Sequence, residues 1–229
     1  MNMLRALGTV SSMTLLSRIL GFVRDFVIAR LFGAGLATDA FFVALRIPNL
    51  MRRLFAEGAF SQAFVPILGE VRNRESPEAT RALVDCVSTA LFLALLAAAA
   101  VGMVLAPLVV YLSAPGFAAD PGKFGLTVAM LRITFPYIVF ISLVALAAGV
   151  LNTWSRFAVP AFTPVLLNVS FIVGAVFFAG QFEPPVLVLA WAVFVGGVCN
   201  WRSSCRSCGK SACCRAGAST SATRVSRAC

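Results

Sequence analysis

The stretch LFLALLAAAAVGMVLAPLVV, residues 91–110, decides the fold. It runs for twenty residues without an Asp, Glu, Lys or Arg, and a helix of that length, rising 1.5 Å per residue, crosses the ~30 Å hydrocarbon core of a bilayer. Its small residues permit close helix packing, and no side chain in it carries chemistry. Working outward, charge-free apolar runs of similar length cover 86–112, 133–155, 157–182 and 184–201. Two earlier segments, 6–31 and 38–68, are as long but interrupted by charges. The whole chain of 229 residues is 60% hydrophobic and 12% charged, with a mean hydropathy of +0.92. A water-soluble domain cannot hide that much apolar surface, so the chain reads as an all-α, polytopic transmembrane helical bundle.

Six helices are expected, at about 6–32, 37–68, 81–112, 124–151, 157–180 and 185–198. Breakers separate them: FGAGLA at 32–37, EVRNRESPEA at 70–79, SAPGFAADPG at 113–122, LNTWSR at 151–156 and GQFEPP at 180–185. Ser76 followed by Pro77 has the form of a helix start, a hydroxyl cap with proline in the first turn. The opening MNMLRALGTVSSMTLLSRILG resembles a secretory signal in composition, but no small-x-small cleavage site follows and the apolar pattern continues past Arg18 and Arg24. Short loops on one side carry Arg5, Arg72, Arg74, Arg81 and Arg156, and those on the other only Lys123, which places the N-terminus in the cytoplasm.

Residues 199–229 break with this pattern. They hold six of the seven cysteines and six of the 19 basic residues, with no acid among them. Hence the net charge of +10 says little about the membrane body, and a nucleic-acid partner is not expected. Cys205 and Cys208 followed by Cys213 and Cys214 lack a histidine and a second well-formed pair, which makes a poor zinc site. Written in GC-rich codons and read one base out of frame from the end of Val198, this segment can encode V-Q-L-A-V-Q-L-P-V-L-R-K-V-G-M-L-P, an apolar helix leading into a basic turn. The expected organisation is a six-helix lobe over 1–198 and a frameshift-derived, disordered tail over 199–229. Cys86, the one cysteine of the membrane body, reads as a small packing residue.

The first two helices hold Arg18, Arg24, Asp25, Arg30, Asp39, Arg46, Arg52, Arg53 and Glu57. Each charge at the centre of a bilayer helix costs roughly 2.5–3.5 kcal/mol on insertion scales, so these side chains must face protein, water or a ligand. Asp39, Arg46 and Arg53 recur every seven residues with Glu57 four further on, one stripe of a helix with Arg52 beside it; Arg18 and Asp25 are likewise seven apart. Snorkelling to headgroups is the alternative reading for Arg30, Arg46 and Arg52 near helix ends, and it fits Arg18 and Arg24 together poorly. Ion pairing can absorb only three of six arginines, because only three acids are present. The surplus suits a hydrated, anion-binding cavity, since a guanidinium matches phosphate oxygens bidentately and stays charged at any relevant pH. Pro48 predicts a kink, and Gly21, Gly33, Gly35 and Gly58 mark places where these helices bend or pack closely. LNTWSRFAVPAFTPVLLN, residues 151–168, reads as interfacial anchoring. With no histidine, no phosphate-binding loop and no nucleophile beside a base, neither an enzyme nor a cofactor is expected.

The segments SSMTLLSRILGFVRDFVIARLFGAGLATDAFFVALRIPNLMRRLFAEGAFSQAFVPIL (11–68), ITFPYIVFISLVALAAGVLNTWSRFAVPAFTPVLLN (133–168) and PPVLVLAWAVFVGGV (184–198) resemble the MurJ/MviN family, the lipid II flippases of bacterial cell-wall synthesis. The resemblance covers 1–198, and the shifted reading of the tail is similar to the family's continuation. It implies an inner-membrane transporter of two six-helix lobes around a central cavity, with two further helices. Its cargo would be the undecaprenyl-pyrophosphate-linked disaccharide pentapeptide lipid II, moved by alternating access. Arg18, Arg24, Arg52 and Arg53, with Asp25, Asp39 and Glu57 as acidic partners, match the family's cationic cavity. Arg18 and Arg24 would take the pyrophosphate, and Arg52, Arg53 and Glu57 would serve gating or portal contacts. Only one lobe is present, so its partners would be lipid II, membrane lipids and the missing C-terminal lobe, and the chain is expected to be inactive alone. A drug/cation antiporter of the same superfamily would instead need acidic and aromatic residues in the cavity, and a non-transporting membrane interaction protein would tolerate alanine along the charged stripes.

Overall fold

The computed structural model describes residues 3–33, 35–52, 59–74, 76–153 and 158–208. Nine α-helices occur among the described residues: α1 (Met3–Phe32), α2 (Leu36–Arg52), α3 (Ala59–Arg74), α4 (Pro77–Val104), α5 (Ala106–Ser113), α6 (Pro121–Thr134), α7 (Tyr137–Thr153), α8 (Ala158–Phe178) and α9 (Leu187–Cys208). The described residues contain no strand. Three segments, Glu78–Val104, Pro121–Thr153 and Ala161–Gln181, are long and apolar enough to cross a membrane. The all-helical membrane bundle expected from composition is therefore the fold.

Local chemistry sets the ends. Gly33, at φ +68, closes α1 by a left-handed turn that an L side chain resists, its amide donating to the Ala29 carbonyl at 3.1 Å. The Thr38 hydroxyl then donates back to the Gly33 carbonyl at 2.9 Å. Ser76 caps α4 as expected, its Oγ accepting from the Ala79 amide at 3.2 Å with Pro77 in the first turn. Asp120 caps α6 by accepting from the amides of Gly122 and Lys123.

Four expected spans change shape. The second, 37–68, is represented by α2 and α3, with 53–58 outside the described residues. The third starts at 77 rather than 81 and breaks at Leu105, two residues before Pro107. The fourth starts at 121 and breaks at Phe135 and Pro136. The sixth does not stop at 198, because α9 runs on to Cys208. The disordered tail is corrected accordingly for 199–208, which lack Pro and Gly and so propagate the preceding helix. Asn200 and Ser204 are buried there, four residues apart, while Arg202 and Arg206 are exposed, an amphipathic continuation. Residues 209–229 lie outside the described ones. Cys86 is disulfide-bonded rather than a free packing thiol.

The joined segment α6–α7 runs through the middle. Its apolar window is 72% buried, against 22% for those of α4 and α8, which leave most of their apolar surface uncovered. Around it lie α9, α4, α2 and α3. The α7–α9 crossing is close: a Cβ on Gly197 would come within 2.8 Å of the Tyr137 ring. Small residues at crossings let helices gain van der Waals contact where lipid offers no hydrophobic drive to associate. By contrast α1 packs chiefly on α8, at the edge of the bundle.

Candidate functional site

The site grows from how α1 meets α8. Within α1, Ser17, Gly21, Arg24 and Ile28 recur at three- and four-residue spacing and are the less exposed positions, so this face turns inward. Gly21 faces Asn168 at ordinary contact distance, a Cβ there standing 3.7 Å from Nδ2, and α1 runs through it unbroken. The opposite face is a mixed stripe. Leu15, Ile19, Phe22 and Phe26 are exposed, with Arg18 and Asp25 among them.

Arg24 lies on the inward face and is held from three directions. Its Nε and Nη2 donate to Asp25 Oδ1 at 2.9 and 2.7 Å, and its Nη1 donates to Asn168 Oδ1 at 3.1 Å. The guanidinium carbon stands 5.5 Å from the centroid of the Phe171 ring, within cation–π range. Asn168 in turn donates from Nδ2 to the Ser17 carbonyl at 3.1 Å, so one amide spans the helix pair. Phe171 also meets Phe41 of α2 edge-on at 5.9 Å, which links the cationic site to the second helix. A guanidinium has five N–H groups, so one on each terminal nitrogen remains for a ligand. The Arg24 side chain is 28% exposed, so those groups can be reached.

Arg18 is different. It is exposed, makes no hydrogen bond or ion pair among the described residues, and lines a cavity of about 530 Å³ with Val10, Thr14, Ser17, Asn152, Ala161 and Pro164. Its surface is mostly apolar, and among the described residues Arg18 is the one charged group that lines it. It is an open cleft, five of its seven lining residues being exposed, in which a cation stands beside apolar surface.

The remaining expected residues are placed as follows. Asp25 is exposed and spent on Arg24. Asp39 does not join the arginines of α1: it pairs with Lys123 at 3.0 Å, where α2 begins beside the start of α6, and Lys123 Nζ lies 4.2 Å from the Phe117 ring centroid. Arg46 is exposed along α2 with Asp39, Phe42 and Leu50, a stripe half apolar and not purely cationic. Arg52 ends α2 with its side chain outside the described residues, as are Arg53 and Glu57. Among the described residues none from α2 lines the cavity, and α1 and α2 make little direct contact, so in place of the single chamber expected between them stand an α1–α7–α8 cavity and a separate α2 face. Because Asp39 is taken by a lysine, the arginine surplus is larger than the acid count implied.

Sequence reading missed Asn168, Phe171 and Asn152. The stretch 151–168 reads as an anchor, yet Asn168 sits in a charge-free membrane run, where an amide in hydrocarbon must find a partner. That cost was the available signal.

A bundle of long apolar helices, with one arginine clamped between two of them and another open to a cavity, defines a polytopic membrane protein with a built cationic face. The model of the family described as lipid II flippase MurJ matches residues 28–205, and the chain belongs to that family. It is 60% identical over 198 residues to the lipid II flippase MurJ of Burkholderia cenocepacia, covering 86% of this chain and 38% of that protein. It is 46% identical over 196 residues to the probable lipid II flippase MurJ of Vibrio cholerae, covering 82% of this chain and 37% of that one. A solved structure of lipid II flippase MurJ in an inward closed conformation superposes with a TM-score of 0.72 at 32% identity, over 88% of this chain and 42% of that one. The chain thus spans under two fifths of the length of these two curated relatives.

Proposed function

We propose that the chain is the N-terminal six-span lobe of a flippase for lipid II, the undecaprenyl-pyrophosphate-linked disaccharide pentapeptide. The complete protein carries this lipid from the inner to the outer leaflet of the bacterial inner membrane by alternating access, with its N-terminus cytoplasmic. The observation that supports this reading most is the contrast between two arginines on one helix: Arg24 clamped with N–H groups to spare, Arg18 unpaired at an apolar-walled cavity. A pyrophosphate offers paired anionic oxygens that such forks recognise, and the apolar wall accommodates substance attached to it. Asp25 holds Arg24 in place, and Asp39 acts at the far end of α2. Arg52, Arg53 and Glu57 serve gating or portal contacts.

A lobe alone lacks the opposing cavity wall, so the 229-residue chain does not transport by itself. Its tail is the product of a frameshift just after codon 198, a reading supported by the abrupt change of composition there, with six of the seven cysteines in 199–229. The test is complementation of flippase-depleted bacteria. The full-length counterpart restores growth, its Arg24→Ala variant does not, and neither does this chain. Normal growth with Arg24→Ala would sink the site assignment, and growth with the chain alone would sink the single-lobe reading. DNA downstream of codon 198, read in all three frames, decides the frameshift.

A further inference from the structure

A proline inside a helix has no N–H, so the carbonyl four residues earlier loses its donor. Pro107 does this to Met103, and Pro48 to Ala44. Ala44 is fully buried among the helices and Met103 lies in an apolar candidate span, so neither carbonyl readily turns to water, and an unsatisfied one is costly. Both are met from the end of α6. Arg132 Nε donates to the Met103 carbonyl at 3.2 Å, and Thr134 Oγ1 lies 3.5 Å from the Ala44 carbonyl. The Thr134 contact is the weaker, its single proton also being in reach of the Met130 and Leu131 carbonyls at 3.0 and 3.2 Å.

The surroundings make this a built feature. Leu105 N–H bonds the Val101 carbonyl at 2.8 Å and Val109 N–H bonds the Leu105 carbonyl at 3.0 Å, so regular hydrogen bonding stands on both sides of the missing rung. Beside that rung the Phe135 ring lies directly on Gly102, where a Cβ would fall 2.1 Å from Cε1. Phe135 is itself at the break between α6 and α7. Thr134 is fully buried against α2, whereas Arg132 lies at the bundle surface, within a membrane span. A lone guanidinium there is expensive, and so is a lone carbonyl; each removes the other's cost.

We propose that α6 is a clasp in which Arg132, assisted by Thr134, replaces the donors that Pro107 and Pro48 remove, so that the break between α4 and α5 and the proline-interrupted turn of α2 are held by one helix. Arg132 is a positioning residue, and the clasp stands whether or not the protein handles a pyrophosphate lipid. Loosening it frees both together.

Hydrogen–deuterium exchange on the full 229-residue chain in phospholipid nanodiscs tests it. Arg132→Met should speed exchange of amides at 105–110 about fivefold, the loss of one modest hydrogen bond, with a smaller acceleration at 45–50. In a Pro107→Ala background the helix regains its own donor, and Arg132→Met should then change exchange at 105–110 less than about twofold. Equal acceleration in both backgrounds, or none in either, overturns the donor role; acceleration at 105–110 with none at 45–50 overturns the coupling of the two places. Should Arg132→Met alone fail to fold, recovery of folding by adding Pro107→Ala supports the clasp and absence of recovery refutes it.

Discussion

The α7–α9 crossing and the α1–α8 crossing hold helices together by opposite means. At the first, Leu189, Ala190, Val193 and Tyr137 are buried to 1% exposure or less, and glycine brings the backbones close. At the second, α1 leans on essentially one neighbour, and an arginine, an amide and an aromatic ring fix its register. Where packing is dense on every side, dispersion and fit suffice. Where a helix is held from one side only, polar groups must set its rotation, and the same groups keep spare N–H donors that a ligand can use.

Substitutions can break or sharpen that contrast. The largest stability effect is expected at the apolar crossing: Leu189→Ala should cost about 2–5 kcal/mol, read as a shift in the midpoint of reversible unfolding in mixed micelles. Arg24→Ala should cost about 1–3 kcal/mol, because it removes charge-assisted bonds and leaves Asp25 and Asn168 short of partners. Asn168→Leu should cost about 1 kcal/mol, and a double-mutant cycle with Arg24→Ala should show coupling, as expected of two groups in one network. A cycle that sums without coupling would mean the network does not hold the helix pair. Arg18→Ala, with no partner to lose, should shift stability by less than about 0.5 kcal/mol, yet the full-length counterpart carrying it should fail to support growth. If Arg18→Ala destabilises as much as Arg24→Ala, the distinction between clamped and open arginine is lost.

Much of this was legible in sequence, and the reasons for the gaps are physical. Hydropathy and length marked α1, α4 and α8 because single helices announce their own solvent. The cap at Ser76 was legible because it is local. The pairing of α1 with α8 was not: in lipid, partners are chosen by small residues and isolated polar groups, and one asparagine in an apolar run carries little pattern. Asp39 was read with the arginines because heptad spacing shows which residues share a side of one helix, while its partner, Lys123, comes from another. What Arg132 serves had no mark in the sequence, since the carbonyl it meets is emptied by a proline in a different helix. The break at Leu105 followed from Pro107 only once the helix could be seen to continue on both sides. The extension of α9 through Cys208 was hidden by composition, because a polar, cysteine-rich stretch can prolong a helix that is already nucleated.

The central claim is that the charged side of α1 faces an aqueous chamber and not lipid tails. In a cysteine-free background of the full-length counterpart, Arg18→Cys and, as a control on the exposed apolar side of α4, Leu93→Cys should be treated with a membrane-impermeant thiol reagent from each side in turn. Position 18 should be modified from at least one side while position 93 is not. Position 18 staying as unreactive as position 93 from both sides would contradict the account.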